Sequence, residues 1–188
     1  MQSGSIMSRR ERMQAVFLSV VFVCYTLLLM KIVFFSRISP LELFHSQRTL
    51  VRSINLIPFH SIMEYVRGNS EDMKAFAFGN VIGNIVMFVP LGLYLPLLRK
   101  TKSALPNLLV VFLVSLFVEV VQGFMGIGTA DVDDIILNGL GGWIGIVGYK
   151  LLLLALRGEK RVRTAVTILS VIGLPAILYL LFMMRMSF

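Results

Sequence analysis

Asp131-Val-Asp-Asp-Ile-Ile-Leu-Asn138-Gly-Leu-Gly-Gly142 leads from three carboxylates directly into an apolar, glycine-rich segment that continues to Leu156. That length and apolarity predict a membrane-crossing helix over 132–156. Charge at the mouth of such a helix is costly beside hydrocarbon and is more often functional than accidental. One aspartate is explained as a helix cap, where the dipole favours negative charge. Three are not. Asn138, one turn after Asp134, lies on the same helix face.

The remainder of the chain has the same character. Of its 188 residues 57% are hydrophobic and only 15% charged, which excludes an ordinary soluble globular protein. Further spans are expected at about 14–35, 76–98, 104–125 and 164–184. The fold class is therefore all-α, a polytopic membrane helical bundle of about five transmembrane helices, with an amphipathic connector between the first and second. The linkers are too short for a second folded unit, so residues 1–188 are expected to form a single domain. Arg9-Arg10-Glu11-Arg12 precedes the first span, and no good small-residue cleavage site follows it, so that helix is expected to be retained. The connector, Ser36 to Ala75, contains Pro40, Pro58, Gly68 and both histidines. Its apolar residues from Leu41 to Ile57 have loosely helical spacing, which predicts short amphipathic helices at the membrane surface. The sole cysteine, Cys24, sits inside an apolar run and reads as an inert thiol.

A formal net charge of +8 raises the question of nucleic acid. The basic residues bracket apolar spans and lack interleaved aromatics, so they read as topology signals facing anionic lipid, with no nucleic-acid partner. If the spans alternate, Arg9, Arg10 and Arg12, then Arg99, Lys100 and Lys102, then Arg157, Lys160, Arg161 and Arg163 share one face. The amino terminus is then cytoplasmic, and the carboxyl terminus and the aspartates extracytoplasmic. Lys31 and Lys150 are expected to snorkel toward opposite membrane surfaces.

Polar groups recur at one depth. Span two carries Gly79-Asn80-Val-Ile-Gly83-Asn84, in which both glycines and both asparagines repeat at i, i+4. The glycines fit a small-xxx-small packing surface and the asparagines suit bonds to neighbouring helices, while Pro90 would loosen the helix around Val86. Glu119 and Gln122 share a face of span three. Measured from the expected outer surface, Asn84 and Glu119 lie about 10 Å deep and Asn138 about 6 Å. Such groups are expected to line a cavity open to the outside and walled by spans two, three and four. Arg52, just before the rigid Pro58 turn, supplies an anion-binding guanidinium. His45 and His60 lack metal-ligand spacing, no phosphate-binding loop or nucleotide fingerprint occurs, and Ser53 and Ser61 lack a triad pattern.

Four blocks together resemble the VanZ-like membrane family, named for a protein of glycopeptide antibiotic resistance clusters. They are Arg52-Ser-Ile-Asn-Leu-Ile-Pro-Phe59, Gly83-Asn84-Ile-Val-Met-Phe-Val-Pro90-Leu-Gly92, Glu119-Val-Val-Gln122 and Asp131 to Gly142, in the family's order and covering about 90 residues. Each is weak alone; the set is specific. Where the family pattern often has an arginine shortly before the aspartates, this chain has Gly126-Ile-Gly-Thr-Ala130, so a cation there would have to come from Arg52. The resemblance implies a bacterial cytoplasmic-membrane protein, with core motifs over 52–142 and some members linked to resistance to teicoplanin-type lipoglycopeptides.

The leading functional expectation is a pocket for a cell-envelope amphiphile, either a lipid-linked wall precursor or a lipoglycopeptide. Glu119, Asp133 and Asp134 would form its polar centre, with Arg52, Asn80, Asn84, Gln122, Asp131 and Asn138 as ligand-binding groups. An enzymatic version would use one carboxylate as a general base, or a divalent cation such as Mg²⁺ held by Glu119, Asp131 and Asp134. The alternatives are a small proton- or ion-coupled transporter and a non-catalytic membrane scaffold.

Overall fold

The computed structural model describes residues 8–35, 53–60, 63, 71–99, 101–127 and 129–186. Each apolar segment forms a helix: α1 (Arg9–Phe35), α2 (Glu71–Arg99), α3 (Ala104–Met125), α4 (Val132–Leu156) and α5 (Glu159–Met186). All five are long and apolar enough to cross a membrane, so the chain is all-α and multi-pass. Two compact units are distinguished, one of Met1–Lys31 with Leu152–Phe188 and one of Ile32–Leu151.

In the first unit, Ser8 and Glu11 form a reciprocal capping box at the start of α1. The Ser8 N–H donates to Glu11 Oε2 at 3.0 Å and the Glu11 N–H to Ser8 Oγ at 3.3 Å. Lys160 pairs with Glu11 at 2.8 Å, and Gln14 Nε2 donates to Thr164 Oγ1 at 3.2 Å. Further along, Lys31 Nζ donates to the Leu181 carbonyl at 3.0 Å. These pairs advance in step along both helices, so α1 and α5 run in the same direction, as the first and fifth of five alternating spans must. Lys31, expected to snorkel outward, reaches a carbonyl near the carboxyl end of α5.

The second unit is held together by glycine. A Cβ at Gly141 would strike the Ile85 backbone, one at Gly145 the Val89 to Leu93 backbone, and one at Gly92 the Gly142 backbone. Absence of these side chains lets α2 and α4 approach backbone to backbone, the mode favoured where lipid removes the usual hydrophobic drive. The pairs Ile85–Gly141 and Val89–Gly145 advance together, so these two helices are also co-directional. Helix α3 runs against α4: Glu119 meets Asp131, Ser115 meets Asn138, and Val111 lies over Gly142. Phe88, Val111 and Ile146 form its most buried apolar positions. Among the described residues nothing lies within 4 Å of a Cβ at Gly79 or Gly83, so the expected packing role is not found there. Among those residues, close approach is made further along α2. Helix α2 continues through both Pro90 and Pro96.

One short sheet was not anticipated. Ser53–Asn55 (β1) pairs in parallel with Thr129–Asp131 (β2), placing Asn55 opposite Asp131. The helical expectation over Leu41 to Ile57 is therefore corrected at its carboxyl end, which is extended. Pairing satisfies backbone groups that a connector crossing helix ends would otherwise leave unbonded. Residues 36–52, including Arg52 and His45, lie outside the described residues.

Candidate functional site

The site begins where β2 turns into α4. Asp131 caps that helix: its Oδ1 accepts the Asp133 N–H at 2.9 Å. The Asp131 N–H donates to Glu119 Oε2 at 2.9 Å, so a carboxylate only 3% exposed in α3 is aimed at the α4 amino end. Asn55 Nδ2 lies 3.3 Å from both Asp131 carboxylate oxygens, while Asn55 Oδ1 accepts the Ile57 N–H at 3.2 Å. Phe59 has a left-handed backbone (φ 64°), and its N–H donates to Asp133 Oδ1. A bulky residue seldom adopts that conformation, and here it coincides with the bond to Asp133. The acidic cluster thus fastens the connector to the amino end of α4.

Successive helix positions point about 100° apart, so neighbouring aspartates take different tasks. Asp133, 1% exposed, faces Phe59, whereas Asp134 faces α2 and accepts a hydrogen bond from Asn84 Nδ2. Asp134 lines a cavity of about 480 Å³, within the range of small-ligand pockets. Glu119, Asn80, Asn84, Gln122 and Asn138 share its wall, with Gly79 and Gly83 on the α2 side. All six of these polar groups, Asp134 included, were expected as site residues, and the cavity brings them together. Asp131 and Asp133 are not among the lining residues; both are buried in the adjoining fastening.

The wall has a fourth contributor. Ile32 and Val33, near the carboxyl end of α1, join α2, α3 and α4 around the cavity. Gln122 Nε2 donates to the Val33 carbonyl at 2.9 Å, satisfying one of the carbonyls left open where a helix ends. Ser115 is a further polar residue that was not singled out. Fully buried, it accepts a hydrogen bond from Asn138 Nδ2 at 3.0 Å. Its position four residues before Glu119, on the same helical face, is the signal that marks it.

The Mg²⁺ arrangement considered for Glu119, Asp131 and Asp134 does not fit. Among the described residues no three His, Cys, Asp or Glu side chains gather closely enough to hold a metal ion. Glu119 and Asp131 are turned toward backbone N–H groups, and Asp134 toward Asn84.

The model of the VanZ/LLP1 family matches residues 22–154. The chain belongs to the VanZ/LLP1 family. Protein VanZ of Enterococcus faecium is 35% identical over 100 residues, 53% of this chain and 54% of that protein. The chain thus spans about half the length of the curated relative it matches. No solved structure matches. The VanZ/LLP1 region includes every cavity-lining residue from Ile32 to Asn138. Where the resemblance suggests an arginine before the aspartates, this VanZ/LLP1 member uses the interval to reverse direction. Gly126 ends α3 in a left-handed conformation (φ 60°, ψ 33°), and Thr129 and Ala130 enter β2.

Proposed function

We propose that this VanZ/LLP1 protein binds a cell-envelope amphiphile, a lipid-linked wall precursor or a lipoglycopeptide, in its polar cavity. In doing so it contributes to teicoplanin-type glycopeptide resistance or to envelope homeostasis. The observation that carries this reading is convergence: Asn84, Glu119, Asp134 and Asn138, from three apolar helices, line one cavity of about 480 Å³. Holding such groups within membrane-length helices is costly, and a cavity for a polar headgroup accounts for the expense. The polar end then sits among amides and carboxylates while the apolar end stays in lipid.

We place the protein in the bacterial cytoplasmic membrane with a cytoplasmic amino terminus, an extracytoplasmic carboxyl terminus and the aspartates outside. Support comes from the sequence: if the spans alternate, Arg9, Arg10, Arg12, Arg99, Lys102 and Lys160 fall on one face of the membrane and Asp131 on the other. Resistance on this reading follows from sequestering the drug or altering access to its target.

A scaffold reading draws on a different observation, namely that Glu119, Asp131 and Asp133 all accept backbone N–H bonds. One experiment separates the two. Wild type, Glu119→Gln and Asp134→Asn are expressed at matched membrane levels, and teicoplanin susceptibility and the pool of lipid-linked precursors are measured. Ligand binding requires both variants to lose most of the wild-type effect. Full retention by both sinks it and leaves the scaffold.

A further inference from the structure

The connector residues beside the acidic cluster turn their polar side chain toward the protein and their apolar ones away from it. Asn55 reaches Asp131, while Ile54, Leu56, Ile57 and Phe59 are 52–76% exposed. No charged residue interrupts Ser53–Phe59. A water-facing turn has the opposite pattern, and an apolar patch left outward marks a surface that meets something apolar.

The backbone suits such a medium as well. β1 pairs with β2, Asn55 Oδ1 accepts the Ile57 N–H, and Asp133 Oδ1 accepts the Phe59 N–H. The His60 and Met63 N–H groups meet the Ile57 and Phe59 carbonyls at 3.3 and 2.9 Å, and Pro58 has no N–H to satisfy. Donors met within the chain lower the cost of leaving water.

Position identifies the medium. β2 joins the carboxyl end of α3 to the amino end of α4, and β1 is bonded to it. With 22 and 25 residues these helices are about 33 and 37 Å long against about 30 Å of hydrocarbon, so their ends reach the headgroup boundary. Exposed apolar side chains continue to that end, Phe124 and Met125 on α3 and Ile136 on α4.

We infer that Ile54–Phe59 is an interfacial wedge, whose four apolar side chains insert among the phospholipids of the leaflet at the Asp131 end, to the depth of the upper acyl chain. Asp131 and Asp133 hold it there through Asn55 and the Phe59 N–H. This gives a task to the two aspartates that do not line the cavity, and it does not rest on what the cavity binds.

The test places a fluorescent reporter in the full chain, reconstituted in phosphatidylcholine vesicles. Trp143, the sole tryptophan, is removed by Trp143→Phe, and Leu56→Trp supplies the reporter, with Ile57→Trp as a second site should the first variant fail to fold. Lipid brominated near the headgroup end of its acyl chains should remove about half of the emission, as insertion to the headgroup/acyl boundary requires. Lipid brominated at mid-chain should quench less, and iodide on both sides of the vesicle should quench little. Strong quenching by iodide with none by either brominated lipid would put the segment in water and overturn the wedge. Protection from iodide and from both brominated lipids would overturn it too, showing protein over the segment, whether the rest of the connector or a second copy. Stronger quenching from mid-chain bromine would overturn the interfacial depth.

Discussion

The side-chain amide of Asn84 donates to the carboxylate of Asp134, joining α2 to α4 at the cavity wall. If this bond positions the two helices, the residues are energetically coupled. In a double-mutant cycle of Asn84→Ala and Asp134→Ala, the double variant should be about 1 kcal/mol more stable than the sum of the single effects predicts. Unfolding by SDS in mixed micelles, followed by circular dichroism, measures this. Strict additivity would show that the bond contributes nothing.

Gly92 and Gly148 both interrupt apolar helices, yet should respond oppositely to alanine. A Cβ at Gly92 strikes the Gly142 backbone, which cannot rotate aside, whereas among the described residues nothing lies within 4 Å of one at Gly148. Gly92→Ala should destabilise by about 1–3 kcal/mol. Gly148→Ala should be neutral or stabilising by up to about 1 kcal/mol through helix propensity. The same SDS titration compares them, and equal effects would contradict the close crossing of α2 and α4.

Glu119 accepts the Asp131 N–H, and an amide oxygen can do the same. Glu119→Gln should therefore retain most of the stability. Glu119→Ala strands a buried donor and should cost about 1–3 kcal/mol. Thermal unfolding of purified protein should rank wild type, then Gln, then Ala. Should Gln fall as far as Ala, the charge would matter more than the hydrogen bond.

Orientation is tested in a Cys24→Ala background, since Cys24 is the sole native cysteine. Cysteine at Thr129 should react with a membrane-impermeant maleimide added to intact cells. Cysteine at Lys102 should react only after permeabilisation. The reverse pattern would turn the cavity toward the cytoplasm.

Much of the site was legible in the residues. Glu119 and Gln122 share a face by spacing, and Asp134 and Asn138 do so one turn apart. Depth counting from the helix ends brought Asn84 into the same layer, and the cavity gathers all five. Less legible was the separation of structural from cavity-facing aspartates. Asp131, Asp133 and Asp134 are chemically identical, and their assignment depends on Asn55, Phe59 and Asn84, which are distant in the chain.

By itself, the sequence determined five membrane-length helices and a polar layer near the ends of three, because bilayer thickness and the cost of burying charge act on local composition. Only the tertiary structure decided which glycines pack and which face a cavity, that Ser53–Asn55 joins Thr129–Asp131 in a ladder, and that Val33 at the end of α1 is held by Gln122. Those outcomes depend on backbone pairing between distant segments, for which composition and periodicity contain no address.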